Sequence, residues 1–139
     1  MNQLNTKVLL VEDSKLLRLV NARTLTKAGY TVTTAADGEE GLRFAQEKLP
    51  DVILLDMLLP KLSGPDVLRK LKESPATAAI PVILLSSLSQ KNEKKLLEDG
   101  AAAYFEKSGL DLDKNSDRLA AAVETVLGRV NREKIGSQH

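Results

Sequence analysis

The chain has no cysteine, no tryptophan, a single histidine at its last position, and aromatic residues at only 3%. Without cysteine there is no disulfide, no thiolate metal ligand and no cysteine nucleophile, which fits a cytoplasmic location. So few aromatic rings argue against a base-stacking platform for nucleic acid. Charge of one sign is also lacking: the net charge is +1, so the total offers no case for binding nucleic acid or a membrane surface. No apolar run approaches the roughly 20 residues of a membrane-spanning helix. The start, Met1 to Thr6, has no basic stretch leading into an apolar one, so no signal peptide is expected. What is present is 42% hydrophobic and 28% charged residues in a chain of 139. That is the balance of one ordinary globular domain with a core of its own.

Short apolar runs alternate with helical patterns five times. Lys7 to Val11, Thr31 to Ala35, Val52 to Asp56, Pro81 to Leu85 and Ala101 to Phe105 read as strands. Between and after them the spacing predicts helices near 14–28, 37–48, 65–72, 89–98 and 116–130. Leu17, Val20, Thr24 and Ala28 mark the expected inner stripe of the first helix, Leu42 and Ala45 that of the second. Ser14 and Asp37 suit N-caps, Pro65 suits a first turn, and Gly29 and Gly100 suit helix ends. Five βα units predict an α/β fold, a doubly wound parallel five-stranded sheet; strand order 2-1-3-4-5 is the commoner arrangement. Residues 1–128 are expected to form this domain. The polar segment 129–139 is expected to be a frayed tail or the start of a linker.

Open parallel sheets place their ligand sites beyond the carboxyl ends of the strands. In this order the first, third, fourth and fifth strands bring together Glu12 and Asp13, Asp56, Ser86, and Lys107. Three clustered carboxylates repel one another unless a cation compensates. Mg²⁺, or Mn²⁺, is the natural partner, taking oxygen ligands from Glu12, Asp13, Asp56 and the backbone carbonyl of Met57. Such a metal would screen a phosphoryl group approaching Asp56, which could then act as nucleophile. Lys107 would neutralise charge and the Ser86 hydroxyl could bond a phosphoryl oxygen. Each residue alone has a plainer reading: a helix cap, a solvated loop, a surface lysine. The set on successive strand ends is what carries the argument.

The motifs Val11-Glu12-Asp13, Asp56 through Gly64, Leu85-Ser86-Ser87 and Tyr104-Phe105-Glu106-Lys107 resemble those of CheY-like response regulator receiver domains of two-component signalling, over about Lys7 to Leu127. The resemblance implies that Asp56 is the phosphoacceptor, Asp13 a direct Mg²⁺ ligand and Glu12 a ligand through water. Ser86 and Lys107 would contact the phosphoryl group, and Tyr104 would be the aromatic switch that turns between outward and inward rotamers. The donor would be a sensor histidine kinase or a histidine phosphotransfer protein. The face made by helix 89–98, strand 101–105 and helix 116–130 would then signal to a protein target or output domain, with homodimer formation through that face as an option. Leu16 and Leu19, apolar beyond the needs of their helix, are candidates for docking the phosphoryl donor. The sequence departs from the family at Ser108 and Gly109, where proline commonly follows the lysine. Leu58 and Leu88 occupy positions that in the family influence attack of water on the phosphoaspartate; two apolar side chains there predict a long-lived phosphoryl state.

Two other classes stay open. A constitutive interaction domain would keep the fold without the switch. A haloacid-dehalogenase-type phosphatase also uses an aspartate nucleophile with Mg²⁺, but it needs an acid two residues later, where Leu58 stands. His139 is the only histidine, so the chain is not its own histidine kinase.

Overall fold

A computed structural model describes residues 5–86, 93–107 and 112–137. Its order is β1 (Lys7–Val11), α1 (Lys15–Lys27), β2 (Thr31–Ala35), α2 (Gly38–Lys48), β3 (Val52–Asp56), α3 (Gly64–Glu73), β4 (Val82–Ser86), α4 (Glu93–Glu98), β5 (Ala103–Glu106) and α5 (Leu112–Ser137). All four strand pairings are parallel. The sheet order is β2-β1-β3-β4-β5, as expected from the five alternating units. Among the described residues, no helix is long and apolar enough to cross a membrane.

The sheet separates two apolar layers, and strand alternation assigns residues to each. Leu9, Val11, Ile53, Leu55, Val82 and Leu84 face Ala45 of α2, Val67, Leu68 and Leu71 of α3, and Leu96 of α4. Val8, Leu10, Val52, Leu54, Ile83 and Leu85 face Leu25 of α1 and Leu119, Val123 and Val126 of α5. The central strands β3 and β4 are buried at every position, which is why they read as unbroken apolar runs.

Local signals bound the helices, at Ser14, Asp37, Gly29 and Gly100 as expected and at Ser63 in addition. Ser14, Asp37 and Ser63 each accept a bond from a backbone N–H of the following turn, supplying a partner that the first turn otherwise lacks. Gly29 and Gly100 take the left-handed backbone that closes α1 and α4.

Four readings need correction. Asn21 and Leu25, not Val20 and Thr24, are the buried residues of α1; α5 packs on that helix, and Ser116 Oγ lies 3.5 Å from the Val20 carbonyl it donates to. β5 starts at Ala103 rather than Ala101, because the Ala101 N–H still bonds the Leu96 carbonyl and completes the turn out of α4. α5 begins earlier than 116 and runs past 130 to Ser137. The connection expected at 108–115 is shortened accordingly. The first residues of the helix expected at 89–98, together with Ser87, Leu88, Ser108 and Gly109, lie outside the described residues, as does His139.

Candidate functional site at the carboxyl edge of the sheet

Each strand hands its last residue to the site through one more backbone bond. The Glu12 N–H donates to the Ala35 carbonyl at 3.0 Å, Met57 N–H to Leu85 at 2.9 Å, and Lys107 N–H to Ser86 at 2.7 Å. These bonds set Glu12, Met57 and Lys107 at one level above the sheet. The loop after Asp56 is tied down as well. Gly64 N–H donates to the Met57 carbonyl at 2.9 Å, and a Cβ on Gly64 would collide with the Asp56 carbonyl oxygen. Only glycine lets α3 start this close to the end of β3.

Glu12, Asp13 and Asp56 each offer a carboxylate oxygen, and these oxygens lie within 4.8 Å of one another. Lys107 sits between two of the acids: its Nζ is 2.7 Å from Glu12 Oε1 and 2.9 Å from Asp56 Oδ2. The other Glu12 oxygen accepts from Ser14 N–H at 3.1 Å. Asp56 Oδ1 has a long contact from Leu58 N–H at 3.4 Å. Asp13 faces solvent while Glu12 and Asp56 are buried. Burial pushes the Glu12 carboxyl up to about 7, with the nearby Asp56 adding to the rise and Lys107 opposing it. Burial alone would lower Lys107, but its bonds to Glu12 and Asp56 and their charges outweigh that and raise it.

Three acids against one bridging ammonium leave the ionised cluster short of positive charge. Hard oxygen donors at this spacing, with one of them open to solvent, fit a small divalent cation. The Met57 carbonyl accepts one bond, from Gly64, and keeps a second lone pair.

The structure brings Glu12, Asp13, Asp56 and Lys107 together. Ser86 is buried at the end of β4, next to β3 in the sheet. Tyr104 of β5 is half-buried against the layer that includes Leu84 and Leu96. Leu16 and Leu19 are 60% and 56% exposed, and Leu58 is 61% exposed. Sequence reasoning missed Arg18, whose guanidinium donates to the carbonyl of Glu12 at 2.8 Å and approaches that of Asp13 at 3.4 Å. A signal was available: α1 has no acid in its first turn, and Arg18 closes that turn against the helix dipole.

Comparison with known proteins decides the family. The family model for the response regulator receiver domain matches residues 8–123. The chain belongs to this family. The receiver is 42% identical to a gliding motility regulatory protein of Myxococcus xanthus over 108 residues, which is 77% of this chain and 14% of that protein. It is 40% identical to response regulator PleD of Caulobacter vibrioides over 106 residues, 75% of this chain and 23% of that one. The receiver thus spans less than a quarter of either relative. Among solved structures, the receiver domain of the Francisella response regulator 1452 superposes with a TM-score of 0.79 at 30% identity, covering 90% of this chain and 98% of that one. The receiver domain of a putative Luxo repressor protein from Vibrio parahaemolyticus gives 0.82 at 28% identity, covering 98% of this chain and all (100%) of that one. Receiver domains are signalling modules that work with histidine kinases and output domains, and the acidic cluster has the donors to hold a metal ion.

Proposed function

We propose that this receiver accepts a phosphoryl group on Asp56 from the phosphohistidine of a histidine kinase or phosphotransfer protein, and signals through the change that follows. The observation that carries this reading is the placement of the Asp56 carboxylate at a buried strand end, 2.9 Å from the Lys107 ammonium and beside two further acids. In the transfer, an Asp56 oxygen attacks phosphorus and a P–O bond forms. The P–N bond breaks, and its electron pair stays on the imidazole, which takes a proton from solvent. Such reactions depend mainly on positioning and charge neutralisation. Lys107 supplies a fixed positive charge beside the attacking oxygen. Mg²⁺ or Mn²⁺ held by Glu12, Asp13, Asp56 and the Met57 carbonyl would supply the additional charge needed to bring a dianionic phosphoryl group to a carboxylate.

The phosphoryl group adds charge and strong acceptors. Lys107, 2.9 Å from Asp56, and Ser86, at the end of the neighbouring strand, would receive them. Movement of Ser86 toward the new oxygens would open room for Tyr104 to turn inward. The exposed face of α4, β5 and α5 would then differ between two states, as a local charge event biases a packed element.

Incubation of the purified chain with Mg²⁺ and acetyl phosphate tests the core of this reading. The intact mass is expected to rise by one phosphoryl group in the wild type and not in Asp56→Asn. No rise in the wild type would favour a constitutive interaction domain.

A further inference from the structure

The three acids of the site are not held alike. Glu12 is fixed at both carboxylate oxygens, by Lys107 Nζ at 2.7 Å and Ser14 N–H at 3.1 Å. Asp56 is fixed by Lys107 at 2.9 Å. Asp13 is exposed, and among the described residues its carboxylate has no hydrogen bond or ion pair. Its direction therefore depends on the backbone that carries it. That backbone is gripped from α1: Arg18 Nη1 is 2.8 Å from the Glu12 carbonyl oxygen and 3.4 Å from that of Asp13, so one guanidinium nitrogen holds the peptide groups on both sides of Asp13. Arg18 makes no ion pair among the described residues. It is half-buried at the first turn of a helix whose positive end already disfavours a cation.

We propose that Arg18 is a positioning residue for the divalent cation: by clamping the Glu12 and Asp13 carbonyls it aims the Asp13 carboxylate into the acidic cluster. This rests on the reading of that cluster as a metal site. Two effects of the arginine have opposite signs. As a charge near the site it repels a cation, so on that ground alone its removal tightens metal binding. As a clamp it pre-organises a ligand, so its removal weakens binding. Groups that orient metal ligands typically contribute about 10–100-fold in affinity.

Mn²⁺ affinity of the purified chain, read from the electron paramagnetic resonance of the free ion, separates these cases without reference to phosphorylation. Arg18→Met is expected to weaken Mn²⁺ binding about tenfold or more. Arg18→Lys keeps the charge but lacks the planar fork, so it recovers part of the affinity at most. In an Asp13→Asn background, adding Arg18→Met should cost less than about twofold, because the ligand it aims is already gone. The metal-free unfolding midpoint, measured beside each variant, ensures that folded proteins are compared. Unchanged or tighter Mn²⁺ binding in Arg18→Met, or a full further loss in the Asp13→Asn background, would overturn the proposal while leaving the metal site standing. Absence of Mn²⁺ binding in the wild type would overturn both.

Discussion

Lys107 lies 95 positions from Glu12 and 51 from Asp56, yet its one ammonium serves both carboxylates. Removing one member of such a group leaves the others buried and short of a partner, at a cost of about 1–3 kcal/mol. Lys107→Met should therefore lower metal-free stability, and the loss should depend on pH. Glu12 is raised from 4.5 to about 7 in the fold. Its contribution to stability is thus present below 4.5 and is lost as pH rises through about 7. Lys107 is raised above 10.5, so it stays charged throughout that range. The deficit of Lys107→Met is expected to be largest near pH 8 and to shrink toward pH 5.5, where Glu12 takes up its own proton. Urea unfolding at the two pH values measures it, and equal deficits would contradict the assigned burial of charge.

Among the elements, α2 shows how a cap and a neighbouring loop share one carboxylate. Asp37 Oδ1 accepts the Glu40 N–H at 2.8 Å, the Glu40 side chain returns to Ala36 N–H at 3.0 Å, and Lys61 approaches the other Asp37 oxygen at 3.6 Å. The bond from Glu40, with help from the Lys61 charge, holds the Asp37 carboxyl below its usual 3.8. A lowered carboxyl contributes stability above 3.8 that is lost as pH falls through the folded value. Asp37→Ala should cost about 1 kcal/mol at pH 7. Asp37→Asn should keep most of the cap and lose its pH dependence, so its stability difference from wild type should narrow toward pH 3. Denaturant midpoints of the three proteins at both pH values check this. The strands and caps of this kind were legible because their signals are local: the apolar run of β3, Asp37 at α2, Pro65 at α3, Gly29 after α1. The inner face of α1 was not. Leu16 and Leu19 carry the apolar character to solvent while Asn21 is buried, and only the packing of α5 decides that rotation.

For the whole molecule, the sheet's two covered faces leave the carboxyl edge open beside α1. Leu16 and Leu19 stand there at 60% and 56% exposure. Substituting both with serine should change stability by less than about 0.5 kcal/mol, as for most surface positions. It is expected to slow transfer from a phosphohistidine donor several-fold and to leave phosphorylation by acetyl phosphate unchanged. Equal slowing of the two reactions would show that the leucines act on the site itself and not on docking. The extension of α5 to Ser137 also belongs to this scale. We propose that residues 1–128 form the receiver body, with α5 carrying the chain on from it to Ser137.

The alternation of apolar runs and helical stripes determined the fold class by itself, because period and punctuation are properties of neighbouring residues. It also placed Glu12, Asp13, Asp56, Ser86 and Lys107 at strand ends. Their grouping needed the observed order β2-β1-β3-β4-β5, which sets β1, β3 and β4 side by side with β5 beyond. Only the tertiary structure decided that Lys107 bridges Glu12 and Asp56, that Gly64 is required by the approach of α3 to β3, and that Arg18 turns back to the carbonyls of Glu12 and Asp13. Those contacts depend on distances between separate elements, and side-chain direction across such gaps is set by packing rather than by sequence spacing.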